Sequence, residues 1–94
     1  MKMKAYSVFD CKAEVWSQPF FQMNDAVAQR AIGNAVNTPG SNYNMNPEDY
    51  ELYFVGEWND EDGNFTPTQT KILDLKTLHR QPDMLGEQAN LLSN

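Results

Sequence analysis

Apolar and polar residues alternate along residues 2–9, with Lys2, Lys4, Tyr6 and Val8 on one side and Met3, Ala5, Ser7 and Phe9 on the other. That period of two predicts a first β-strand. Residues 10–21 lose the period, and Pro19 bars a regular helix through them, so the stretch reads as an irregular connection. It carries Trp16, Phe20 and Phe21, large apolar side chains that need cover. From Asn24 the pattern becomes helical. Asn24 and Asp25 are both able to cap a first turn, and Val27, Ala28, Ala31, Ile32, Ala35 and Val36 form one stripe, with Gln29, Arg30, Gly33 and Asn34 facing away. This predicts a helix to Val36 or Asn37, stopped by Thr38, Pro39 and Gly40, followed by an Asn-rich loop over residues 41–46.

Residues 50–58 give the clearest strand pattern, with Tyr50, Leu52, Phe54, Gly56 and Trp58 on a core face and Glu51, Tyr53, Val55 and Glu57 on the other. Residues 59–64 form a turn, with Gly63 placed for positive φ and Phe65 facing Trp58 across a hairpin. Pro67 makes the returning strand an edge or bulged strand, and Ile72, Leu73 and Leu75 resume the apolar pattern. Residues 83–92 read as a short C-terminal helix after Pro82. The order strand, helix, strand, strand defines a single α+β domain over residues 1–94, a small antiparallel or mixed β-sheet with one helix on one face. Residues from about 67 to 94 are expected to form a less ordered tail or that short helix.

Composition thins this picture. Leu, Ile, Val and Phe number 19 of 94 residues, so the core is small, while an aromatic content of 12% argues for folding. The single Cys11 closes no internal disulfide and has no second thiol for a zinc site. No stretch has the length of a secretory or membrane-spanning apolar segment, and we expect a soluble intracellular protein. The net charge is −6, and residues 31–70 contain no Lys or Arg while holding Glu48, Asp49, Glu51, Glu57, Asp60, Glu61 and Asp62. Binding of a phosphate backbone by bulk electrostatics is disfavoured by that balance.

The chemistry on offer is sparse. One histidine, His79, sits in a polar context, and Cys11 has no helix start or neighbouring histidine to make it a thiolate nucleophile. We therefore expect no enzyme, catalytic residue, metal or cofactor. The turn Asn59–Asn64 is rich in oxygen ligands, but a calcium loop fitted to Asp60 and Asp62 would put Trp58 first and Gln69 twelfth, so the spacing fits a solvated hairpin turn. Two interaction readings remain for the aromatic connection: Trp16, Phe20 and Phe21 form a protein-binding cluster, or they fold back as core.

The run from Tyr6 to Glu14, then Pro19, Phe20 and Phe21, then Asn24 to Ala28, then Asn46 to Tyr53, and Val55, Gly56 and Glu57 before an acidic turn ending in Gly63, resembles the small nonstructural protein of gokushoviruses, single-stranded DNA phages of the Microviridae. The resemblance covers residues 3–66, and Cys11 stands where that pattern has a small polar residue. It implies a nonstructural protein of the host bacterial cytoplasm, absent from the virion, that assists the change from double-stranded to single-stranded DNA synthesis. The resulting expectation is a binding protein for phage or host replication proteins, using Glu57, Asp60, Glu61 and Asp62 with Trp16, Phe20 and Phe21. Acidity favours such partners, because a negative surface steers basic, DNA-handling proteins. One alternative is direct binding of single-stranded DNA through Lys2, Lys4, Tyr6, Lys12 and Arg30, with Tyr53 as a further stacking ring. The other is a homo-oligomer joined through Trp16, Phe20 and Phe21.

Overall fold

A computed structural model describes residues 1–80. The alternation at the amino terminus forms strand β1 (Lys2–Asp10), and the tyrosine-rich segment forms β4 (Tyr50–Asn59), its antiparallel neighbour. The turn after Asn59 leads into β5 (Asn64–Asp74), and Gly63 there takes φ 71°, the left-handed conformation a glycine adopts without a Cβ penalty. The sheet is antiparallel, in the order β2 (Val15–Trp16), β1, β4, β5, which leaves β5 at an edge, where a proline is tolerated at position 67.

The connection expected to be irregular is instead a broken edge strand. β2 (Val15–Trp16) pairs with Phe9 and Asp10, and β3 (Phe20–Gln22) pairs with Lys4, Ala5 and Tyr6 on the same side of β1. Between them Ser17 stands in for the ladder. Its N–H donates to the Val8 carbonyl at 2.8 Å, the Val8 N–H donates to its Oγ at 2.9 Å, and the Ser7 hydroxyl donates to its carbonyl at 2.8 Å. These bonds satisfy backbone groups of Val8 and Ser17 that the gap between β2 and β3 would otherwise leave unpaired.

Helix α1 (Asp25–Val36) starts where the Asn24 side chain accepts the Val27 N–H at 2.9 Å. It covers one sheet face with Ala28, Ile32 and Val36, a stripe narrower than expected: Val27 stays exposed because the small sheet offers cover along one row of the helix. Across from that row lie Tyr6, Val8, Leu52 and Leu75, all buried. The Asn-rich loop contains a second, short helix, α2 (Asn42–Met45), capped by the Ser41 hydroxyl, and a 3-10 turn at Pro47–Asp49. Beyond residue 67 the chain continues through β5 into a 3-10 turn (Leu75–Leu78) whose Leu75 is fully buried. The helix expected at residues 83–92 lies outside the described residues.

Tyr6 is the polar anchor of this core. It is fully buried, and its hydroxyl donates to the Asp25 carboxylate at 2.6 Å. Burial first, then the Asp25 hydrogen bond and charge, push its phenol far above the ordinary value of 10. The folded protein thus holds this proton to higher pH than the unfolded chain does, so stability present below pH ~10 is lost as pH rises above it. Denaturant midpoints taken across a pH series are expected to fall steeply above pH ~10. Tyr6→Phe should flatten that alkaline loss, read alongside phenolate absorbance, and an equally steep loss in the variant would assign it to other groups.

Candidate functional site

Among the described residues no helix lies over the face of the sheet opposite α1. That face carries Met3, Ala5, Ser7 and Phe9 from β1, and their cross-strand partners Trp58, Phe21, Tyr53 and Trp16. Two aromatic groups cover the small residues at its centre. In one, the Phe9 and Trp16 rings are 4.7 Å apart and the Trp16 and Tyr53 rings 4.8 Å. In the other, Met3, Phe21 and Trp58 surround an apolar cleft of about 370 Å³. Phe65 lies across from Trp58 and folds its ring over Gly56, where a Cβ would meet that ring at 2.1 Å. Ala5 and Ser7 are buried beneath these groups, yet Trp16, Phe21, Trp58 and Phe65 each keep 37–44% of their surface exposed.

Trp58 reaches this face because of a bulge. Tyr6 pairs with Phe54 while Ala5 pairs with Gly56, so Val55 is an extra residue in β4 and the side-chain parity reverses there. Leu52 and Phe54 therefore point to the helix, whereas Gly56 and Trp58 point away from it, against the single core face expected for this strand. Phe20 corrects the aromatic cluster in the same way. It is half-buried against Tyr6, with ring centroids 5.7 Å apart, and belongs to the core, while Trp16 and Phe21 stay on the open face.

Glu57, Asp60, Glu61 and Asp62 gather at one end of the sheet. Asp60 and Glu61 both accept from the Met1 ammonium, whose pKa they raise, and Glu57 lies 3.7 Å from the Lys2 Nζ. Asp62 accepts the Asn64 N–H at 3.0 Å, closing the turn. At the other end Lys71 bonds Asp74 at 2.8 Å and Glu51 at 2.9 Å, which lowers the pKa of both carboxyls. Cys11 is exposed, and desolvation of its thiol followed by the Glu51 charge raises its pKa, the direction opposite to an activated thiolate.

The residues of the DNA-binding alternative do not converge. Tyr6 is buried under α1 and cannot stack a base, Lys4 lies over the Phe54 ring at 5.6 Å, and Lys2 faces Glu57. Tyr53 is on the other face, Lys12 is in the turn after β1, and Arg30 is on α1. Among the described residues no cluster of three or more His, Cys, Asp or Glu could hold a metal, and no helix is long and apolar enough to cross a membrane.

Fold and face together define a small α+β protein with a helix on one side of its sheet and a half-exposed aromatic surface on the other. A family model described as Phage ORF5 protein matches residues 3–78, and the chain belongs to that family of phage proteins. No curated protein and no solved structure matches it.

Proposed function

We propose that this chain is a non-enzymatic, nonstructural phage protein of the gokushovirus kind that assists viral genome replication in the host cytoplasm. It does so by binding a replication protein, phage or host. The observation that carries the reading is the exposed apolar patch formed by Met3, Phe21, Trp58 and Phe65 next to the acidic turn of residues 60–62. Half-exposed aromatic rings are typical anchors of protein interfaces, and a charged rim beside them selects the sign of the partner. A basic, DNA-handling protein fits both features. Membership of a phage family supplies the phage context, and the replication role rests on the gokushovirus resemblance.

The open face suits a protein better than a nucleic acid. Lys71, the strand lysine on that face, is held by Glu51 and Asp74, so the rings lack a cation to pair with phosphates. The test is association with the purified replication initiator of the same phage and with host replication proteins, at about 50 and 200 mM salt. Replacing Asp60, Glu61 and Asp62 by Lys is expected to slow association several-fold and flatten its salt dependence. Unchanged association kinetics would remove the acidic turn from the mechanism.

A further inference from the structure

Arg30, Gly33, Asn34 and Asn37 follow the i, i+3, i+4, i+7 spacing of one helix face, the polar side of α1 that the core does not use. The 3-10 turn Leu75–Leu78 and the residues after it run alongside, enclosing a cleft of about 390 Å³ lined by these residues, Gln29 and Arg80. Asn37 holds the two walls together. Its amide donates to the Gly33 carbonyl at 2.8 Å and the Leu78 carbonyl at 2.9 Å, and its side-chain oxygen accepts the Arg80 N–H at 2.7 Å. That clamp brings two arginines from distant parts of the chain to one cleft.

Charge and space in the cleft point the same way. Among the described residues no Asp or Glu lines it and no acid pairs with either arginine, in contrast to Lys2 and Lys71. Gly33 sits mid-helix at a cost in helix propensity, and a Cβ there would meet nothing within 4 Å, so packing does not require the glycine; its absent side chain leaves the cleft open. Guanidinium groups are planar forks that bind oxyanions through paired N–H bonds. A planar carboxylate is satisfied by one fork, whereas a tetrahedral phosphate presents oxygens to two forks arriving from different walls.

We propose that this cleft is a phosphate-binding site in which Arg30 and Arg80 grip the phosphate of a nucleotide or of a single-stranded DNA backbone. The Gln29 and Asn34 amides add neutral donors. The site lies away from the aromatic face and stands whether or not that face binds a protein.

The test uses the full chain, isotope-labelled for NMR, with inorganic phosphate, thymidine monophosphate and a fluorescent oligo-dT as probes. Inorganic phosphate is expected to move the Gly33 amide and the Arg30 and Arg80 side-chain signals. Oligo-dT that binds tighter than the monophosphate identifies a DNA strand as the source, with affinity falling about 25-fold per tenfold rise in salt if two phosphates are neutralised. Equal affinity for the two identifies a free nucleotide. Arg30→Gln with Arg80→Gln should weaken binding at least tenfold at an unchanged thermal midpoint. Gly33→Leu, whose Cβ has room, should fold and block the cleft. Arginine signals that ignore phosphate, or binding that survives both variants, would overturn the proposal.

Discussion

Leu52→Ala is expected to bring the protein to the edge of unfolding at 25 °C. Leu52 is fully buried in β4, paired with Val8 on one side and Leu73 on the other, in one core cluster with Ile32 and Val36 of α1. Removing such a side chain costs about 2–5 kcal/mol, the lost transfer energy plus the cavity left between strands held by their neighbours. The whole domain has about 5–14 kcal/mol at typical stability per residue, and its thin core puts it toward the low end. Urea denaturation followed by tryptophan fluorescence and by circular dichroism should show a midpoint near zero denaturant. Val15→Ala, at a residue 55% exposed on the edge strand, should change stability by less than about 0.5 kcal/mol. A loss below about 1 kcal/mol for Leu52→Ala would mean that the site collapses around the missing atoms.

Much of the frame that Leu52 supports is legible in the sequence because its signals are local. Alternation marks β1 and β4, Asn24 caps α1, Gly63 makes the turn, and Pro67 marks β5 as an edge. Short-range reading fails where a partner decides the outcome. Ser17 completes an edge strand only because β1 runs beside it, and Ser41 caps α2 inside a run that composition marks as loop. The bulge at Val55 matters most, since one extra residue moves Trp58 from the core face to the open one. Gly56 in a strand interior was the available sign of it. Of the candidate site, Trp16, Phe21 and the acidic turn are readable as surface features. Arg80 beside Arg30 is not, because the pairing depends on the Asn37 clamp between distant segments.

Loss of both Phe21 and Trp58 should weaken binding of the proposed replication partner by about 100-fold or more. Each ring lines the cleft beside Met3, and a partner side chain seated there would desolvate both. Truncation of a central aromatic anchor costs at least about 2 kcal/mol, and 2.7 kcal/mol is already a factor of about 100. The double variant Phe21→Ala, Trp58→Ala should still fold, because both residues are partly exposed and α1 packs on the opposite face. Denaturation curves therefore separate loss of the interface from loss of the fold. Binding is read against the purified initiator and host replication proteins, and light scattering reads the oligomeric state of wild type and variant. If the wild type is a dimer and the variant a monomer, a second copy of the chain covers the patch. A folded variant that keeps full affinity for the partner would show that the aromatic rings serve as a lid over Ala5, Ser7 and Gly56, and that binding runs through the acidic turn. The two surfaces can be told apart kinetically, since losing charge acts on association and losing anchors acts on dissociation.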